Sequence, residues 1–259
     1  MNCSPILDEN GTILFCVAAE RDITKEKEVD KAKTELVSLA SHQLLTPLSI
    51  VRWYSEILLA GDVGDLNKDQ KKYLEEISTG NKRMIDLVNF LLDVSKMDLG
   101  TFGIKPEPIS ITELILDVVN EQSLQIKSKK ISLILDLEKD IPDISVDPKY
   151  IRMVVQNLMS NAIKYSFMEG SVHLKVRKDR DSKKIIIEVQ DTGIGIPKNA
   201  HDKIFTKHFR AQNAIEKADT EGTGLGLYLA KSIIDHSQGK IWFESEVNSE
   251  TTFYVELPE

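Results

Sequence analysis

Only two cysteines, Cys3 and Cys16, occur in 259 residues, too few for a disulfide framework or a cysteine-based zinc site. They suit a reducing compartment, where each packs as a small hydrophobe in a strand pair. No apolar run approaches the roughly 18 residues of a membrane span, and Met1 opens no basic-then-apolar signal segment. Basic charge is short as well: 33 Lys and Arg stand against 41 Asp and Glu, a formal net charge of −8. That balance disfavours binding along nucleic-acid backbones, so an anionic ligand would need a local basic pocket. What remains is ordinary globular composition, 41% hydrophobic and 29% charged, in a chain too long for one core. Two folded units in the cytoplasm are expected.

The first 24 residues read as a strand pair, with Asp8 to Gly11 as the turn, Thr12 to Ala18 as the second strand and polar Glu20 to Asp22 ending it. A lone hairpin is marginal in water, so residues 1–24 are expected to be the end of a larger module. Asp22-Ile23-Thr24 leading into charged helix resembles the exit of a PAS sensor domain. From Lys25 to Ala60 the composition is helical, with Pro47 as the interior breaker. At about 100° per residue, Leu36, Ala40, Leu44, Val51, Tyr54 and Leu58 fall in one sector, an apolar stripe that needs a partner. Gly61 to Asp65 is a loop, and Asn67 to Met97 a second helix with Leu74, Ile77, Met84, Val88 and Leu91 near heptad spacing. One hairpin does not close its own core. Pairing residues 25–99 with a second copy into a four-helix bundle does, which predicts a homodimer.

Residues 100–259 change pattern. Helices are expected at Ile111 to Ile126, Pro148 to Tyr165 and Gly224 to Ser237. Strands are expected at Ile131 to Leu137, Ser171 to Lys178, Lys184 to Gln190, Lys240 to Glu246 and Thr252 to Glu256. This mixture predicts an α/β sandwich, one sheet backed by helices, and an α+β chain overall.

On the Pro148 to Tyr165 helix, Asn157, Asn161 and Lys164 share a ridge beside the stripe of Ile151, Val155, Leu158 and Ala162. Amide oxygens suit Mg²⁺ and an ammonium suits phosphate; a solvated face has the same composition. Asp191-Thr-Gly193-Ile-Gly195 ends an apolar strand, and Pro197 together with the missing third glycine argues against a dinucleotide fingerprint. Gly222-Thr223-Gly224-Leu225-Gly226-Leu227 stands before a helix, where free N–H groups favour phosphate. About 30 residues without a clear core pattern separate the two runs, a length typical of functional lids.

The order Asn157-x-x-x-Asn161, Asp191-x-Gly193-x-Gly195, Phe205-x-x-x-Phe209-Arg210 and Gly222-x-Gly224-x-Gly226 resembles the N, G1, F and G2 boxes of histidine-kinase ATP domains, within the histidine kinase/chaperone ATPase superfamily. The resemblance implies that Asn161 coordinates Mg²⁺ with Asn157 in support and that Lys164 and Arg210 approach the phosphates of ATP. It also implies that Tyr165 lies against adenine, that Asp191 accepts its amino group, and that the second glycine run lets the lid approach the triphosphate. Ser41-His42-Gln43-Leu44-Leu45-Thr46-Pro47-Leu48 resembles the H box of sensor histidine kinases, usually S-H-E-[LF]-R-T-P-L. His42 lies opposite the apolar stripe. Free imidazole, with a pKa of about 6.5, keeps a nucleophilic lone pair on most molecules at pH 7, whereas an amine stays protonated.

Membership in that family implies phosphorylation of His42 from Mg-ATP and transfer to an Asp of a response regulator, with Thr46 helping to orient water when the regulator is dephosphorylated. Two positions depart from the box: Gln43 replaces the carboxylate and Leu45 the arginine. Gln accepts a hydrogen bond but not a proton, which leaves a catalytically weak scaffold or regulator phosphatase as the alternative reading, with an ATPase lacking histidine transfer as a third.

Overall fold

A computed structural model describes residues 2–7, 13–19, 22, 24–98, 103, 105–179, 183–217 and 222–259. The chain divides into two units, Met1–Phe102 and Gly103–Glu259. In the first, β1 (Asn2–Leu7) and β2 (Ile13–Ala19) pair antiparallel, Asn2 opposite Ala19 and Ile6 opposite Phe15. The expected turn at Asp8 to Gly11 lies outside the described residues, as do Thr12, Glu20 and Ile23.

Helix α1 (Thr24–Ala60) carries Pro47 in its interior, and α2 (Lys68–Asp98) returns alongside it. α2 starts from a reciprocal cap: Gln70 N–H donates to Asn67 Oδ1 and Asn67 N–H to Gln70 Oε1, both at 2.9 Å. The apolar stripe of α1 does not turn toward α2. Leu36, Leu44, Val51 and Tyr54 are exposed within one chain, while Ser41 and Ser55 are the buried residues of α1 among those described. Buried Asn81 of α2 donates to Leu48 O at 2.9 Å, one residue past Pro47. Leu45, Leu48, Leu74 and Ile85 are half-buried, so polar and apolar groups share the covered faces of α1 and α2. On α2, Val88 is buried, but Ile77 and Met84 stay exposed and extend the same open apolar character.

In the second unit Ser110 caps α3 (Ile111–Glu121) by accepting from Glu113 N–H at 3.3 Å. The helix expected to run through Ile126 breaks at Gln122, which is buried and donates to Gln156 O at 3.3 Å; α4 (Ser123–Ser128) follows. A mini-sheet of β3 (Glu107–Ile109) and β5 (Ile144–Val146), not evident in the sequence, flanks these helices. Asp147 caps α5 (Pro148–Tyr165) by accepting from Lys149 and Tyr150 N–H, and it also accepts from Lys105 N–H. Pro148 at the first helical position has no N–H to satisfy.

The main sheet runs β4-β6-β7-β9-β8, from β4 (Ser132–Leu137), β6 (Ser171–Asp179), β7 (Lys184–Thr192), β8 (Lys240–Ser245) and β9 (Glu250–Pro258). β4 and β6 pair parallel and the rest antiparallel, so the sheet is mixed rather than antiparallel throughout. Its inner face (Val172, Leu174, Val176, Ile185, Ile187, Val189, Val255 and Leu257) packs against Ile115, Val118, Ile151, Leu158, Ile233 and Ile234 of α3, α5 and α7 (Gly226–His236). Full burial of such side chains contributes about 1.5–3 kcal/mol each. Between β7 and α7 lie a 3₁₀ turn at Lys198–Ala200 and the short α6 (Gln212–Glu216).

Candidate functional site

Alternation along β7 decides the character of the second unit's site. Ile185, Ile187 and Val189 point into the core, and two residues further the same face carries Asp191. Its carboxyl is 4% exposed, and its Oδ1 takes no hydrogen bond among the described residues. Burial pushes its pKa up to about 7, against the opposing pull of the Lys217 and Lys129 ammonium groups. An unsatisfied buried acceptor costs about 1–3 kcal/mol, and a ligand that donates to it would recover that.

α5 supplies one wall. Asn157 abuts Gly226 so closely that a Cβ there would collide with its side-chain oxygen, and Asn157 Nδ2 is buried with no partner among the described residues. Asn161, one turn on, is half-buried. Lys164 Nζ stands 5.2 Å from the Tyr165 ring centroid and 3.0 Å from where a Gly222 Cβ would lie. Tyr165 is half-buried; burial raises its phenol pKa, which the Arg210 charge and hydrogen bond oppose. Arg210 also donates to Ala214 O at 3.1 Å.

The glycine runs bring backbone to these side chains. Gly193 N–H donates to Ser249 O, and Ile194 N–H to Tyr165 O at 3.2 Å, joining the end of β7 to the end of α5. Gly195 has φ +65°, and a Cβ would strike Glu246 O. Gly224 has φ +68° and lies against the carbonyls of His208 and half-buried Phe209. Leu225 is buried at the start of α7 and Leu227 half-buried, whereas Thr223 is exposed. No side chain among the described residues caps this end of α7, so its first N–H groups are available to an anion. Phe205 lies in an aromatic cluster, 6.0 Å from Phe243 and 6.5 Å from Phe253.

Three residues of this neighbourhood had no signal in the sequence. Lys129 Nζ donates to Ile163 O, Lys164 O and Ser166 O at 2.9, 2.7 and 3.3 Å. Lys217 Nζ reaches Tyr165 O and Ser166 O, both at 3.3 Å. Asn213 Nδ2 donates to Gly195 O at 2.8 Å. In the sequence all three sit in polar stretches indistinguishable from solvated loop.

In the first unit His42, Gln43 and Thr46 are exposed on α1. Neither His42 nor Gln43 has a side-chain hydrogen bond among the described residues, while Thr46 Oγ1 donates to His42 O at 3.3 Å. Among the described residues no helix is long and apolar enough to cross a membrane.

In chain order, a helical hairpin that presents His42 ahead of Pro47 is followed by a sandwich that ends a core strand in the carboxylate of Asp191. Residues 32–100 match the His Kinase A (phospho-acceptor) domain, and residues 146–259 the histidine kinase-, DNA gyrase B- and HSP90-like ATPase family. The chain belongs to the sensor histidine kinases of two-component systems. It is similar to the circadian input-output histidine kinase CikA of Synechococcus elongatus, 34% identical over 230 residues, 88% of this chain and 30% of that protein. It is 33% identical to the sensor protein kinase WalK of Staphylococcus aureus over 261 aligned residues, all of this chain and 61% of that one. The chain thus spans less than two thirds of the length of these relatives. Among solved structures, full-length ShkA in complex with AMPPNP shares the fold, with TM-score 0.70 at 23% identity over 86% of this chain and 45% of that one. The catalytic domain of the histidine kinase ThkA matches with TM-score 0.52 at 28% identity, over 60% of this chain and 95% of that one.

Proposed function

We propose that this chain is the cytoplasmic core of an ATP-dependent histidine kinase that phosphorylates His42 and passes the phosphoryl group to an Asp of a response-regulator receiver domain. The buried Asp191 with its unfilled Oδ1 carries the reading, because a 6-aminopurine supplies the missing donor. Residues 100–259 hold ATP: Tyr165 lies against the base, Lys164 and Arg210 approach the phosphates, and the run from Gly222 to Leu227 brings backbone N–H groups to the triphosphate. Asn161, supported by Asn157, offers an oxygen to Mg²⁺, which when bound neutralises charge on the phosphates. In the transfer a His42 ring nitrogen attacks the γ-phosphorus, the N–P bond forms as the P–O bond to ADP breaks, and the imidazole proton goes to water or to a neighbouring acceptor. With radiolabelled ATP the chain should acquire an acid-labile, alkali-stable label; label confined to free phosphate would sink the kinase reading.

Residues 25–99 are the dimerisation and phosphotransfer hairpin in this reading, and residues 1–24 the end of a PAS-like module. Leu36, Leu44, Val51 and Tyr54 leave an apolar face open on one chain, which a second copy covers as a four-helix bundle. Light scattering should therefore give twice the chain mass. The receiver domain docks beside His42 on the exposed ridge of Thr46, Ser49 and Trp53. Trp53 is 59% exposed with its ring 5.1 Å from Tyr54, an aromatic anchor of the kind that dominates interfaces. Trp53→Ala should slow transfer to the regulator about tenfold while autophosphorylation is unchanged; equal transfer rates would remove Trp53 from the docking surface. The scaffold or phosphatase alternative draws on Gln43 together with the retained Thr46, and the labelling rate decides between the two.

A further inference from the structure

The last turn of α5 is satisfied in an uncommon way. Helix C-termini leave carbonyls without intrahelical partners, and here Ile163 O, Lys164 O and Ser166 O all receive the ammonium of Lys129. Lys129 is itself fixed. It is the C-cap of α4, its N–H donates to Gln125 O, and its carbonyl accepts from Glu169 N–H at 3.1 Å. The next residue, Lys130, pairs with Glu169 at 2.8 Å, and Ser132 N–H donates to Gly170 O, so the turn entering β4 is clamped to the turn entering β6. Asp191 lies opposite Val172 on the strand beside β6, within electrostatic reach of the Lys129 charge.

We propose that Lys129 is a positioning residue of the base subsite: its ammonium, held in place by three carbonyls at the end of α5, is a positive charge that keeps Asp191 an acceptor for the amino group of adenine. This rests on the assignment of Asp191 to the base. Among the described residues two ammonium groups act on that carboxylate. Lys217 comes from the segment after α6, where it also reaches Tyr165 O and Ser166 O, and Lys129 comes from the scaffold of the sheet. Burial already outweighs both cations; with Lys129 gone Lys217 alone opposes it, so the carboxyl holds its proton to higher pH and accepts less well from an amine.

Calorimetric titration of the full chain with Mg-ATP between pH 7 and pH 9 tests this. Loss of the charge raises the Asp191 carboxyl further, so Lys129→Met is expected to bind measurably more weakly than the native chain at pH 7 and equally at pH 9. The ratio of the two affinities cancels the titration of the nucleotide phosphates. Lys129→Arg, which keeps the charge, should stay within about twofold of native at both pH values and serves where the Met variant does not fold. A deficit of the same size at every pH would make Lys129 a helix tether only, and no deficit at pH 7 would leave it no role in binding; either result overturns the proposal. Asp191→Ala is the separate control. Native affinity in that variant would overturn the assignment of Asp191 itself, whereas weak binding that is insensitive to a second Lys129→Met change supports both.

Discussion

Exchanging Gln43 for glutamate is expected to raise the single-turnover rate of His42 phosphorylation about 10- to 100-fold, with ATP affinity unchanged. A positioned general base contributes typically about 10² to 10⁴ in rate, and the amide of Gln43 retains only the weaker orienting part of that function. The local structure favours a clean comparison. Both side chains are exposed on α1 and neither is engaged in a hydrogen bond among the described residues, so the exchange disturbs no packing. Phosphorylation makes the imidazole proton more acidic, so water removes it slowly in the native chain and the native rate is low rather than zero. His42→Ala should abolish the acid-labile label altogether. Equal rates for the native chain and Gln43→Glu, both saturated with ATP, would show that the amide does not limit the chemistry.

Asp191→Asn is expected to stabilise the nucleotide-free protein while weakening it as an ATP binder. The folded carboxyl titrates at about 7 against an ordinary 3.8, chiefly because it is buried. Between those values the native state binds the extra proton, so this group lowers stability progressively as pH rises from about 4 to 7 and by its full amount above 7. The bound is on the order of 4 kcal/mol. At pH 8 the neutral amide should therefore gain about 2 to 4 kcal/mol over Asp, and close to nothing at pH 4, where the native carboxyl is itself neutral. Lys129 and Lys217 lose a counter-charge in the variant but keep the carbonyls at the end of α5. ATP affinity should fall at least about tenfold, as for other buried hydrogen bonds to charged groups. Denaturant melts at the two pH values check the sign, and a gain of equal size at both would exclude the carboxyl as its source.

Much of the second unit was legible because its signals are local. The α5 expected from the residues, Pro148 to Tyr165, has those bounds in the structure, because an Asp-Pro start and a 3.6-residue apolar period act within a few residues of each other. The glycines of both runs were legible for the same reason: positive φ at Gly195 and Gly224 is a property of single residues.

What only the tertiary structure decided concerns contacts between distant segments. Periodicity found the apolar stripe of α1 but not which way it faces: α1 buries Ser41 and Ser55, and Leu48 O receives Asn81 of α2, while Leu36, Leu44 and Val51 stay exposed. Alternation along β7 put Asp191 on the core side, yet the depth of burial that raises its pKa, and the two lysines from separate loops that oppose the rise, come from distant segments. Lys129 sits in a run of lysines that looks like solvated turn, and it acquires partners only when the parallel β4–β6 pairing lays that turn beneath the end of α5. Propensity and period describe an element's own face. Which charge meets which buried acceptor follows from sheet order, and sheet order is set by packing across the whole unit.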